Sequence, residues 1–220
     1  SVIPAFRYMS QRKNVGKIVV RMESESREED TPSEDNAPIR TDGTYLVTGG
    51  LGALGLRTAN WLVEQGAKSL VLIGRREPDD AATLAIESLQ NQGASVETKR
   101  VDVSRRSDVD ELINFINGEM PPLRGVFHAA GALADGILLQ QDAANFERAF
   151  AAKIAGTWNL HEATLDCPLD HFVAFSSVAS AMGSPGQSNY AAANAFLDGL
   201  AHYRRGLNLP SLSVNWGPWA

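Results

Sequence analysis

A short apolar run, Tyr45–Thr48, breaks into Thr48-Gly49-Gly50-Leu51-Gly52-Ala53-Leu54-Gly55, and a helical pattern follows from about Leu54 to Gln65. Few features constrain a chain more. Gly50, Gly52 and Gly55 give G-x-G-x-x-G between a strand and a helix, a turn tight enough that the helix must fold back along the strand it left. The alternation then repeats. Ser69–Ile73, Ser95–Val101, Gly125–His128, His171–Ser176 and Ser211–Asn215 read as strands, and Ala81–Gln92, Asp108–Asn117, Asn145–Leu165 and Tyr190–Arg205 as helices. Six such strands predict an α/β fold, a Rossmann-type doubly wound parallel sheet with right-handed crossovers and strand order 3-2-1-4-5-6. No repeat at solenoid periods is present.

In that context the glycine stretch predicts a dinucleotide site, against the alternative of an ordinary glycine-rich turn. The expected site is Thr48, Gly49, Gly50, Leu51, Gly52 and Gly55, whose glycines let backbone approach a pyrophosphate, which a helix N-terminus stabilises. The second strand ends at Ile73-Gly74 and delivers Arg75 and Arg76 where an NAD-preferring fold usually holds an acid. Two guanidinium groups there suit a 2′-phosphate and so NADPH; a solvated basic turn is the alternative. Asp102, followed by Val103 at the end of the third strand, is placed to accept from an adenine amino group; a helix N-cap neighbour or a surface acid is the alternative. Ser177 closes the fifth strand at the edge where parallel sheets bind ligands. Tyr190 and Asn194, four residues apart at a helix start, share one face. A phenol normally titrates near pH 10, so acid–base work at neutral pH calls for a neighbouring cation.

Charge is distributed unevenly. The 220 residues sum to −6. Residues 1–22 carry five bases and no acid, residues 23–42 carry eight acids against two bases, and the remaining 178 residues sum to −5. The middle block has too little apolar content to offset its ordering entropy and is expected to be a flexible linker. The expected organisation is therefore a basic piece at 1–22, a linker at 23–42 and one body at 43–220. A lone Cys167 excludes an internal disulfide and points to a reducing compartment, the cytoplasm. No run of about 18 apolar residues predicts a membrane span, and the acidic balance argues against nucleic acid. His128 is expected to pack at its strand end. His161, His171, His202 and Cys167 lack metal-ligand spacing, so no metal is expected. Trp216 and Trp219 are expected to pack.

From about Thr44 to Ala220 the chain resembles the ketoreductase domains of type I modular polyketide synthases, in the short-chain dehydrogenase/reductase superfamily. The resemblance rests on Thr48–Gly55, Gly125-Val126-Phe127-His128-Ala129-Ala130-Gly131, Ser176-Ser177, Tyr190-Ala191-Ala192-Ala193-Asn194 and Asn215-Trp216-Gly217-Pro218-Trp219. It implies NADPH-dependent reduction of a β-ketoacyl thioester on an acyl carrier protein, among other synthase domains. By the same likeness Ala129, Ala130 and Gly131 line the cofactor site. Tyr190 would protonate the forming alkoxide, Ser177 would hydrogen-bond the ketone oxygen, and Lys153 would bind the nicotinamide ribose and make the phenol a better acid. Asn194, where the superfamily usually has lysine, would position Lys153 or a relay water. Taken singly, the alternatives are a solvated Lys153, a turn-capping Ser177 and a packed Tyr190.

Leu133-Ala134-Asp135 is similar to the family's Leu-x-Asp signature, with Ala134 in place of its first aspartate. With Met182 where the opposite type has tryptophan, and with Pro185 and Asn189, it implies a D-configured (3R) hydroxyl; a helix-start acid is the alternative for Asp135. Residues 1–22 resemble the last helix and strand of an enoylreductase, through Phe6-Arg7-Tyr8-Met9 and Gly16-Lys17-Ile18-Val19-Val20. An orphan strand or a piece of this domain's own structural half is the alternative. The family continues past Ala220 with a lid helix and a seventh strand, which are expected to be absent from this chain. Two competing expectations are a reductase-inactive scaffold or α-carbon epimerase, and a free-standing short-chain dehydrogenase.

Overall fold

The computed structural model describes residues 39–217 together with Gln11. The expected enoylreductase remnant at 1–22 (Gln11 apart), residues 23–38 of the expected linker, and Trp219 lie outside the described residues. Within the stretch expected as linker, Ile39 packs against the core and the Arg40 N–H donates to the Tyr45 hydroxyl.

Six strands form one parallel sheet in the order β3-β2-β1-β4-β5-β6. These are β1 (Thr44–Thr48), β2 (Ser69–Gly74), β3 (Ser95–Arg100), β4 (Leu123–His128), β5 (His171–Ser177) and β6 (Leu212–Trp216). The expected strand order holds. β1 is buried at every residue because helices cover both sheet faces, and its side chains divide by the two-residue pleat period. Tyr45 and Val47 join Leu70, Leu72 and Phe127 beneath α1 (Ala53–Glu64) and α2 (Asp80–Asn91). Leu46 joins Val71, Ile73 and Val126 beneath α3 (Arg106–Glu119) on the other face. Each fully buried leucine or isoleucine contributes about 1.5–3 kcal/mol.

The expected single helix over Asn145–Leu165 needs correction. It is α4 (Ala143–Phe150), a π-helical turn over Ala151–Gly156, and α5 (Thr157–Ala163). The turn swells where the helix passes the β3–α3 loop: a methyl group on Gly156 would press within 2.6 Å of Val103 Cγ2. A short α6 (Ala179–Met182) precedes α7 (Ser188–Gly206), which packs on β5. In register, Thr48 lies beside His128 and Ser177 beside Trp216, so the carboxyl ends of the strands open along one edge. The order reverses between β1 and β4, where such sheets bind ligands.

Candidate active site

The glycines divide the labour. Gly49 has φ +65°, and a side chain there would also lie 2.9 Å from the Ala130 nitrogen. Gly55 faces inward: its Cβ would overlap the Gly49 carbonyl oxygen, so this glycine sets the approach of α1 to the turn. Gly50 likewise packs on Val47 and Leu72, whereas Gly49, Leu51 and Gly52 face the groove beyond. Gly52 caps α1 without a side-chain hydrogen bond, so the first-turn N–H groups remain available to an anion.

That groove has a volume of about 490 Å³. Arg75 and Arg76 flank it at the end of β2, Asp102, Val103 and Ser104 at the end of β3, and Ala129, Ala130 and Gly131 at the end of β4. These residues fit a dinucleotide: an uncapped helix start for the pyrophosphate, a cradle that side chains would fill, and cations at the far ribose. Asp102 Oδ1 accepts from both the Ser104 N–H (3.0 Å) and hydroxyl (2.7 Å), which shapes the loop at the groove wall. Thr48 is buried; its Oγ1 lies 2.7 Å from His128 Nδ1 and accepts from the Ala130 N–H.

Ala129, Gly131 and Ala132 are shared with a second cavity of about 260 Å³, also lined by Ser177, Tyr190, Lys153, Leu54, Leu133 and Trp216. The structure thus brings three of the four expected catalytic residues to one space adjoining the groove. Lys153 sits in the π-helical turn, 5% exposed, and its Nζ donates to the Phe175 carbonyl at 2.8 Å. The same nitrogen lies 5.5 Å from the Tyr190 ring centroid. Burial pushes the Lys153 ammonium down to about 8, while the distant charge of Asp198 works the other way. Gly131 makes room for it, since a Cβ there would stand 3.1 Å from Lys153 Cε. Ser177 Oγ accepts from the Ala179 N–H at 3.2 Å, so it caps the following turn and still keeps its own proton to donate.

The fourth residue, Asn194, is fully buried behind this wall. Its Nδ2 donates to the Tyr190 carbonyl at 2.8 Å, and Oδ1 has no hydrogen-bond partner among the described residues. It therefore braces the first turn of α7, which carries Tyr190, and makes no bond to Lys153.

A family profile described as "KR domain" matches residues 43–220. The chain belongs to the KR domain family. Among curated relatives, one component of the phenolphthiocerol/phthiocerol polyketide synthase of Mycobacterium tuberculosis is 40% identical over 217 residues, which are 98% of this chain and 10% of that protein. The phenolphthiocerol synthesis polyketide synthase type I Pks15/1 of Mycobacterium marinum is 43% identical over 218 residues, again 98% of this chain and 10% of that protein. The KR chain therefore spans about a tenth of the length of these relatives. Among solved structures, an N-terminal ketoreductase from the macrolactin assembly line superposes with a TM-score of 0.78 at 36% identity, covering 82% of this chain and 38% of that one. An A-type ketoreductase from a modular polyketide synthase gives 0.77 at 42% identity, covering 81% and 38%. An NAD+-bound xylitol dehydrogenase, 20% identical with a TM-score of 0.72 over 80% of this chain and 70% of that one, shares the fold.

The four residues expected to govern stereochemistry stand apart from the KR cavity. Asp135, Met182, Pro185 and Asn189 are absent from its lining. Asn189 is fully buried and donates to the Ala134 carbonyl at 2.9 Å and the Asn145 carbonyl at 3.1 Å. Asp135 accepts from Gln187 at 2.9 Å, and the Gly136 N–H donates to the Gly186 carbonyl at 2.8 Å. These bonds latch the loop after β4 to the loop before α7, so both flank the cavity as one unit. Gln141, which sequence reasoning passed over, bonds to Gly136 and Asn189 at the centre of that latch.

Sequence reasoning also missed Asp198 on α7. Burial alone would push its carboxyl up, but hydrogen bonds from Ser180, Ser213 and Asn215 outweigh that and hold it below the usual carboxylate range. It ties α6 and β6 to α7 near the cavity. Trp216 both lines the cavity and packs on Phe175, with ring centroids 5.7 Å apart. His161 is buried beside Arg204 at 2.8 Å, and burial raises the half-buried Cys167 thiol. Among the described residues no cluster suits a metal ion, and no helix is long and apolar enough to cross a membrane.

Proposed function

We propose that this chain reduces the β-ketone of an acyl thioester held on an acyl carrier protein, with NADPH as the reductant, as one domain of a cytoplasmic polyketide synthase. The observation that carries the reading is the convergence of Ser177, Tyr190 and Lys153 in one cavity joined to a groove that ends at Arg75 and Arg76. The relatives, named as polyketide synthases, and the solved ketoreductases support the substrate class.

A bound reduced nicotinamide supplies hydride to the ketone carbon. Ser177 donates its free proton to the ketone oxygen and fixes the carbonyl. Negative charge grows on that oxygen, and the Tyr190 hydroxyl gives it a proton, forming the O–H bond of the product. Lys153, a cation below about pH 8, stands behind the phenol ring and favours the charge left on the tyrosine oxygen. Leu54, Leu133 and Trp216 supply apolar surface to the cavity wall.

The product is assigned the D (3R) configuration on Leu133-Ala134-Asp135, Met182, Pro185 and Asn189. Overall likeness does not carry that choice, because an A-type structure is 42% identical. The latch through Asn189 and Asp135 supports a role for these residues in setting the loop that presents the substrate.

The test follows NADPH absorbance with a β-ketoacyl thioester and with a diketone surrogate, then resolves the product enantiomers. Oxidation of NADPH with a 3R product is expected. Tight NADPH binding without oxidation defeats the reductase reading in favour of a non-reducing role, and a 3S product defeats the stereochemical assignment alone.

A further inference from the structure

We propose that His128 is a positioning residue for the reduction: through the Ala152 carbonyl it holds the helical turn that aims Lys153 into the cavity. The inference rests on the role given to Lys153 above and assigns work to a residue that sequence reasoning set aside as packing.

His128 ends β4, is fully buried, and touches two elements at once. Its Nε2 lies 3.1 Å from the Ala152 carbonyl and its Nδ1 lies 2.7 Å from Thr48 Oγ1. A carbonyl can only accept, so Nε2 carries the proton and donates to Ala152. In a neutral ring Nδ1 must then accept, and the Thr48 hydroxyl donates to it. Thr48 Oγ1 in turn accepts from the Ala130 N–H at 3.3 Å. One directed chain of hydrogen bonds therefore runs from Ala130 at the groove floor, through β1 and β4, to the residue before Lys153. Burial, with the Lys153 charge second, pushes the imidazolium down to about 3, so the ring stays neutral and the chain keeps its direction across the working pH range.

The bond falls where the helix needs it. A π-helical turn breaks the regular i to i−4 ladder, and isolated turns of this kind persist where outside groups satisfy the displaced carbonyls. Two do so here. His128 takes the Ala152 carbonyl, and the Thr157 hydroxyl takes the Lys153 carbonyl at 2.6 Å. Between these anchors the Lys153 side chain runs past Gly131 to the Phe175 carbonyl. Releasing the first anchor lets the turn relax toward a regular helix, which rotates Lys153 out of line with Tyr190.

The experiment compares His128→Leu, His128→Gln and Lys153→Met in the full-length protein. His128→Leu is expected to lower kcat about 100-fold, the effect of displacing a catalytic group by about 1 Å, with the KM for NADPH changed less than about threefold. His128→Gln, whose amide can still donate to Ala152, is expected to recover most of that loss. The five lysines of the chain, reductively methylated with carbon-13, give a readout independent of turnover. The Lys153 signal should titrate near 8 in the wild type and move toward the ordinary lysine range in His128→Leu. If His128→Leu does not fold, Thr48→Val, which removes the donor to Nδ1, takes its place with the same expectations for kcat and for the Lys153 titration. A folded variant with wild-type kcat, an unchanged pH–rate profile and an unmoved Lys153 titration overturns the proposal, leaving His128 as packing. Lys153→Met with wild-type kcat overturns instead the assignment of Lys153 to the reaction.

Discussion

Lys153 should make the protein less stable than it needs to be, and the cost should fade as pH rises. The ammonium is 5% exposed and bonds to a carbonyl with no carboxylate in contact. Its folded-state value of about 8 lies below the ordinary 10.5, so the unfolded chain holds this proton more tightly than the folded one. Below pH 8 both states are protonated and the folded state carries the whole burden, about 3 kcal/mol. Between pH 8 and 10.5 the folded state loses its proton first, and stability rises. Lys153→Met keeps the apolar stem and removes the charge. At pH 7 this relief is set against the lost bond to Phe175, worth about 1.5–3 kcal/mol for a charged donor, so a single pH gives a small and uninformative difference. The pH dependence isolates the effect: from pH 7 to 9.5 the wild type should gain about 2 kcal/mol relative to Lys153→Met. Urea denaturation of both proteins across that range measures it, and groups common to both cancel. A difference that stays flat refutes the argument that Lys153 is a buried cation held against its solvation.

Three further outcomes follow from the same geometry. Gly55→Ala should lose at least about 1–3 kcal/mol, read as a lower Tm, because its methyl group overlaps the Gly49 carbonyl; Gly52→Ala, whose nearest neighbour stands at 3.4 Å, should keep Tm while raising the Kd for NADPH about tenfold, or about 1.4 kcal/mol. Replacing Arg75 and Arg76 together by alanine should raise the KM for NADPH about 10- to 100-fold, as expected for hydrogen bonds to a charged phosphate, and leave the KM for NADH nearly unchanged. The buried His128 must bind a proton on acid unfolding, since its folded value is about 3 against about 6.5 in the unfolded chain; stability should fall by about 3 kcal/mol between pH 6.5 and 4 from this group, and His128→Gln should flatten that limb in denaturant titrations.

The sheet order and the cofactor groove were legible because both are written locally. The unbroken apolar run at Tyr45, Leu46 and Val47 answers to helices on two faces, and a glycine turn between strand and helix has few foldings. What each glycine does was not legible. The motif treats Gly50, Gly52 and Gly55 alike, yet Gly52 faces the groove while Gly55 faces the chain's own backbone, a distinction that depends on how closely α1 packs. The latch residues show a further limit. Asp135, Pro185, Met182 and Asn189 were read as a set that implies the configuration of the product. Asn189 lies in the interior, bonded to Ala134 and Asn145, because a buried side-chain amide must find partners wherever loops meet.

The π-helical turn left no periodic signal, and two tertiary contacts meet in it. Packing brings the helix so close to the β3–α3 loop that Gly156 has no room for a methyl group against Val103. The Lys153 side chain leaves the same turn and donates to the Phe175 carbonyl. A regular helix directs consecutive side chains 100° apart, and a wider turn changes that angle. Within the widened turn the Ala152 carbonyl accepts from His128 and the Lys153 carbonyl from the Thr157 hydroxyl. Local propensity favours an unbroken helix through Ala-Ala-Lys-Ile-Ala, so the widened turn is imposed by tertiary contacts. The strand-end segment from His128 to Gly131 is where those contacts gather. Ala129 and Gly131 line both groove and cavity, Gly131 makes space for the lysine stem, and His128 holds the turn. The groove and the cavity thus meet along the segment that follows His128, which is where the proposed function expects a substitution to disturb turnover.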